Sequence, residues 1–287
     1  MEHPVIGLTA NITKPDAAVL TQQLAAQFRA GGARVVLEQA SARAAALDGG
    51  LPLPEVARQA DVLVVLGGDG TILHTARQLG AAVKPLAAVN VGRLGFLTTA
   101  TAYETAPFVH AILSRSYAIS RRSTVEASFV DAEGRTHLET GLNEAVVSRG
   151  ATSRMIRLNV NVDGAQLNCY SGDGLIVSTP TGSTAYSLSA GGPLVSPEAG
   201  IFCITPICPH AVANRPFIVS DDAVIELTAS TAGELLLSLD GNTPSLLSRE
   251  HPVTLRRGAW TVPLVMLPGA SFFGILRQKL QWGGSSG

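Results

Sequence analysis

The run Val62-Leu63-Val64-Val65-Leu66 ends directly in Gly67-Gly68-Asp69-Gly70-Thr71, and a helical pattern follows over residues 71–79. A run with no polar side chain reads as a strand buried on both faces, an environment that a parallel sheet covered by helices provides. The neighbouring segments agree. Residues 5–8, 35–37 and 85–91 read as further strands. Residues 17–29 read as a helix, with Leu20, Leu24 and Phe28 spaced by four on one face and Gly31-Gly32 as its stop. Strands alternating with helices imply a parallel sheet. In such sheets ligands sit beyond the carboxyl ends of the strands, where Gly67 to Thr71 falls.

After about residue 100 the rhythm changes. Residues 103–113 read as one more helix. Short β-prone runs then follow at 124–130, 143–147, 158–162, 174–177, 224–227, 235–239 and 253–255, separated by turn signals such as Val162-Asp163-Gly164 and Asp240-Gly241-Asn242. The expectation is an α/β domain over residues 1–100, with a parallel sheet, and a β-rich domain over 101–261. The Gly/Ser tail at 283–287 carries no structural signal.

Charge and composition narrow the function. A net charge of -1 and 5% aromatic residues supply neither the basic field nor the stacking surface of a nucleic-acid binder. The sequence shows no apolar run of about 18 residues and no signal-peptide pattern at Met1-Glu2-His3-Pro4. Cys169, Cys203 and Cys208 form no CxxC pair, which suits a reducing cytoplasm. The six histidines are scattered without ligand spacing, which argues against a transition-metal site. His74 reads as a surface or core histidine of its helix rather than a phosphate contact.

Four clusters carry chemistry. Glycines at 67, 68 and 70 bring backbone close to a ligand, and the helix start beside Thr71 offers N–H groups and partial positive charge to phosphate. A carboxylate repels phosphate, so Asp69 points instead to metal binding or to taking a proton from an attacking hydroxyl. The second cluster, Asn90 to Phe96, follows a strand, turns on Gly92 and Gly95, and offers Phe96 as an apolar wall. Asn143-Glu144 supplies donor and acceptor atoms suited to ribose hydroxyls and amides. Because strand neighbours face opposite ways, both reach one ligand only at a bend or a strand end. The stretch from Gly172 to Pro193 is rich in hydroxyls and glycine. Leu175-Ile176-Val177, Tyr186 and Leu188 give it apolar anchors that a linker lacks. Asp240, in Asp240-Gly241, is a further acid in a turn.

In this order, the clusters resemble the NAD kinase family. Ile207-Cys208-Pro209-His210 leading to Asn214-Arg215-Pro216, and the ending Phe272 to Gly283, extend the resemblance over nearly the whole chain. The first loop alone is shared with diacylglycerol kinases, sphingosine kinases and phosphofructokinases; the Gly172 to Pro193 stretch is the specific part. The resemblance implies a C-terminal, sandwich-like β domain, with residues 262–282 packing back on the first. It implies transfer of the terminal phosphoryl of ATP to the 2′-hydroxyl of the adenosine ribose of NAD, with a divalent ion, usually magnesium, and a homo-oligomer, a tetramer or dimer. Asp69 is then the catalytic acid/base, and Gly67, Gly68 and Thr71 serve phosphate. NAD contacts fall to Gly70, Phe96, Asn143, Glu144, Asp173, Thr181, Thr184, Ala185, Tyr186, Ser189 and Asp240. Arg93 varies in the family and receives no role. The alternatives are a lipid or sugar kinase with the same loop, or a dinucleotide sensor without turnover.

Overall fold

In the computed structural model Val62–Leu66 is a strand with every side chain buried. The structure describes residues 3–92, 95–151, 155–211, 213–230 and 233–282; Arg93 and the tail 283–287 lie outside them. The chain forms two compact units, residues 1–121 with 262–287, and residues 122–261.

The first unit is built on one sheet in the order Arg34–Leu37, Val5–Ala10, Val62–Leu66, Leu86–Asn90, Val262–Met266, Ala118–Arg122, with the short Ala100–Thr101 beside Leu86–Asn90. The pairings of Val5–Ala10 with its two neighbours, and of Leu86–Asn90 with Val62–Leu66, Ala100–Thr101 and Val262–Met266, are parallel. The apolar runs are thus sheet interiors. The helix Ala17–Ala30 buries Leu20, Leu24 and Phe28, the stripe expected from their spacing. Phe28 meets Phe108 of the helix Thr105–Leu113 edge-on, with ring centroids 6.2 Å apart. Each such fully buried side chain contributes about 1.5–3 kcal/mol. That helix and the strand Ala118–Arg122 carry the unit past residue 100, the expected boundary. Two short helices, Gln39–Ala44 and Leu53–Gln59, give too few turns for a periodic signal. The first is held by its cap: Glu38 accepts the N–H groups of Ala40 and Ser41 at 2.7 and 2.9 Å.

The second unit has two six-stranded sheets, antiparallel at every pairing the structure gives in register. One runs Ala165–Gly172, Ile156–Val162, Ile225–Ala229, Val253–Arg257, Val125–Val130, Thr136–Gly141. The other runs Phe217–Ser220, Ile201–Ile207, Gly174–Ser178, Glu144–Arg149, Leu235–Leu239, Ser245–Leu246. One apolar core joins them: Val125, Phe129 and Leu255 from the first sheet meet Ala145, Val147, Leu175, Val177 and Phe202 from the second. This is a sandwich. Alternation along Glu144–Arg149 turns Ala145 and Val147 into that core and leaves Glu144 and Val146 on the sheet's outer face, where Val146 packs with Ile176 and Ile207. Asn143, Glu144 and the stretch after Gly174–Ser178 lie on or beside that outer face.

Candidate active site

In the first unit the helix after the glycine loop begins at Asp69, two residues before the sequence pattern starts it. An acid in the first helical turn is favoured by the positive helix end, and Gly68 is the cap residue. The first N–H groups of a helix have no partner within it, so the backbone at this helix start is available to an anion. The Asp69 carboxylate turns toward the loop after Leu86–Asn90. The N–H of Phe96 donates to Oδ2 at 2.9 Å and that of Leu97 to Oδ1 at 3.1 Å. A Cβ on Gly95 would overlap the same carboxylate, so this loop closes on Asp69 only with glycine there. Each Asp69 oxygen has one lone pair engaged and one left for a hydroxyl proton.

Phe96 is half-buried, and the ammonium of Lys279, on the helix Phe272–Lys279, lies 5.6 Å from its ring centroid. That cation–π contact went unread in the sequence, because Lys279 is far from Phe96 along the chain. So did a cleft of about 360 Å³ beside the loop, lined by Asn11, Glu38, Gly70, Thr71, His74 and Gln78 among others. The end of Val5–Ala10 and the exposed His74 were the available signals.

In the second unit Asn143 stands just before the strand Glu144–Arg149, so Asn143 and Glu144 meet at a strand end. Asp240 fixes this corner. Its Oδ2 accepts the N–H of Leu142 at 2.7 Å, and its Oδ1 accepts those of Asn143 and Glu144 at 2.7 and 3.2 Å. Asp240 itself has a φ of 51°, a left-handed conformation that Asp tolerates in turns. Sequence reasoning gave Asp240 a ligand role; the structure shows its oxygens on backbone N–H groups. Asp240→Ala removes the acceptor of three N–H groups and is expected to cost about 2–4 kcal/mol, read as the shift of a urea midpoint at unchanged slope.

The hydroxyl-rich stretch is a strap lying on the outer face. After Gly174–Ser178 it forms a single-turn 3₁₀ segment, Thr181–Thr184, and a short helical turn, Tyr186–Ser189. The N–H of Thr179 donates to the Asn143 carbonyl at 2.9 Å and its hydroxyl to that of Leu142 at 2.6 Å. Ser183 Oγ takes the N–H of Val195 at 3.1 Å, and Ser187 Oγ lies 3.0 Å from Thr205 Oγ1. Serines 183 and 187 therefore fasten the strap, while Thr184, Ala185, Tyr186 and Ser189 lie at least partly open to solvent. Thr181 is buried, and its hydroxyl has no hydrogen-bond partner. Asp173 sits where the chain passes from one sheet to the other. Its Oδ1 accepts from Arg149 Nε at 2.7 Å, a partner the sequence did not reveal.

Glu144 is 5% exposed, and its Oε2 is buried without a partner. Burial, and then the negative charge of Asp240, push its carboxyl up to about 8. Among the described residues no group of three His, Cys, Asp or Glu side chains could hold a metal ion. A magnesium ion suits this chain in its usual mode, through nucleotide phosphates and water with one or two carboxylates; Asp69 is the carboxylate of the glycine loop. No described helix is long and apolar enough to cross a membrane.

Two family models match the chain: the ATP-NAD kinase N-terminal domain over residues 50–117 and the ATP-NAD kinase C-terminal domain over 142–267. An NAD kinase of Chlorobium luteolum is 37% identical over 278 residues, covering 96% of each chain. One from Geotalea daltonii is 36% identical over 279 residues, 97% of this chain and 98% of its own. Among solved structures, an NAD kinase from Archaeoglobus fulgidus in complex with ATP aligns with a TM-score of 0.77 and 26% identity, over 96% of this chain and 98% of that one. Yeast NADH kinase complexed with NADH has the same fold: TM-score 0.89, 24% identity, 99% of this chain and 89% of that one. With both domain models matched and identity above one third sustained almost end to end, the chain belongs to the NAD kinase family.

Proposed function

We propose that this protein transfers the terminal phosphoryl group of ATP to the 2′-hydroxyl of the adenosine ribose of NAD, giving NADP. The observation that carries the reading is the Asp69 carboxylate, held by two backbone N–H groups at the first turn of a helix that opens from a glycine loop. Asp69 takes the proton of the 2′-hydroxyl as its oxygen bonds to phosphorus; the bond to the β-phosphate oxygen breaks, and ADP leaves with that electron pair. Catalysis of this kind is positioning and charge stabilisation. The backbone of Gly67 and Gly68 and the Thr71 side chain meet phosphate, with the cleft beside Asn11 and His74 receiving the donor and Gly70 meeting NAD. In the second unit Asn143, Glu144 and the strap residues Thr181, Thr184, Ala185, Tyr186 and Ser189 hold NAD, with Asp173 and Asp240 shaping the site through Arg149 and the corner N–H groups. Phe96 packs beside the base. A bound magnesium ion supplies charge neutralisation at the phosphates.

Three free thiols suit the cytoplasm, the compartment proposed with this function. A homo-oligomer is proposed too: the strand Phe217–Ser220 ends its sheet with Phe217 and Ile218 exposed, an edge of the kind a second copy covers. The activity is tested by mixing the protein with NAD, ATP and magnesium and following product with an NADP-specific dehydrogenase. NADP is expected. Binding of NAD without turnover supports the sensor, and neither binding nor turnover supports another acceptor.

A further inference from the structure

Two carboxylates meet at the corner before Glu144–Arg149, and the backbone serves only one. Asp240 collects the N–H groups of Leu142, Asn143 and Glu144, which favour its charged form. Glu144 lies alongside: its N–H donates to Asp240, and its carbonyl accepts the N–H of Asp240 at 3.0 Å. Among the described residues no cation pairs with the Glu144 side chain, and its Oε2 has no partner. Two further buried hydroxyls without partners belong to the same corner. Ser178 is the register partner of Glu144 across the antiparallel ladder, so their side chains share a face. Thr181 follows in the strap, whose Gly182 rests on the Asn143 carbonyl. Buried polar atoms in native proteins are rarely left unpaired, and since none of these three is hydrogen-bonded to another, the corner holds polar groups that a bound ligand can satisfy, with no cation to offset a charge on the acid.

We propose that Glu144 serves NAD binding as a neutral carboxylic acid: its unpartnered carboxyl meets a ribose hydroxyl as a neutral donor and acceptor, without setting a negative charge against the phosphates of the dinucleotide. The inference rests on the function proposed above and concerns the same site. Burial and the Asp240 charge act in its favour, holding the group protonated to about pH 8. The other groups facing Glu144 bring no compensating charge: Ser178 and Thr181 are neutral. Cys203, beside Ser178 in register, has its thiol pushed up by burial and stays uncharged.

The consequence is a pH dependence of affinity with a definite sign. Binding needs the protonated form, so it is complete below the folded value and lost as pH rises through it. Affinity approaches a tenfold fall per pH unit above that point. NADP carries an additional phosphate that is already dianionic above about pH 7 and does not titrate in this range, so its affinity is expected to fall with the same slope as that of NAD. Calorimetric titration of NAD and NADP into wild type and Glu144→Gln from about pH 7 to 9.5 tests this. The expected result is weakening of both ligands above pH 8 in wild type, with the same slope, and its disappearance in Glu144→Gln, which presents a permanently neutral amide. Titrating wild type at pH 8.5 in two buffers of different ionisation enthalpy needs no variant, and proton uptake on NAD binding is expected. A pH-independent wild type that takes up no proton, with Glu144→Gln weak at every pH, overturns the proposal in favour of an ionised acceptor. Failure of wild type to bind either dinucleotide at any pH overturns the function itself.

Discussion

Asp69→Asn is expected to lower turnover by about 100- to 10,000-fold, the range a positioned proton acceptor contributes. The amide is isosteric but cannot take the 2′-hydroxyl proton. It keeps an acceptor for only one of the two N–H groups, from Phe96 and Leu97, that hold the carboxylate. Part of the loss therefore comes from a loop that sits less firmly. Steady-state kinetics with NADP detection separates the two: loss of a proton acceptor lowers kcat with KM for NAD near its original value, whereas a displaced Phe96 raises KM. The NAD contacts assigned to the second unit are untouched, so calorimetric NAD binding is expected to persist. A variant turning over at the wild-type rate removes Asp69 from its role.

Gly182→Ala is expected to be the most damaging single methyl addition in the strap. A Cβ at this position overlaps the backbone carbonyl of Asn143, and backbone yields less readily than a side-chain end. The strap must lift, straining the Thr179 bonds to Leu142 and Asn143. Overpacking of this kind costs about 1–3 kcal/mol. The functional loss is larger, because Asn143, Glu144 and Thr181 are displaced together. Thermal unfolding is expected to show a shift of several degrees and calorimetry at least tenfold weaker NAD binding. Unchanged affinity would mean the strap does not form the NAD site.

The buried strands of the first unit were legible because parallel-sheet interiors tolerate no polar residue: Val62–Leu66 could be little else. The sandwich of the second unit was legible only where strands are central. Thr136–Gly141 and Ala165–Gly172 are edge strands with half-exposed, polar sequences and carry almost no apolar alternation. Ile201–Ile207 escaped notice because Pro206 interrupts it. Proline is tolerated there since the neighbouring strand Phe217–Ser220 pairs only with residues 201–204. At the site, loop chemistry was visible and partnership was not. Asp69, Asn143 and Glu144 stood out by motif. Yet the N–H groups that hold Asp69, the Arg149 partner of Asp173 and the backbone duty of Asp240 depend on segments brought together by folding. The neutral state of Glu144 is a property of that assembly, and no local pattern encodes it.

The return of Val262–Met266 to lie beside Leu86–Asn90 has a consequence during synthesis. The second unit is complete in sequence before the first, because its residues all emerge ahead of the strand that finishes the other sheet. On the ribosome the first sheet waits with the start of Leu86–Asn90 as an open apolar edge, the kind of surface that aggregates or recruits chaperones. A chain stopped short of residue 262 therefore holds a finished sandwich tethered to an unfinished sheet.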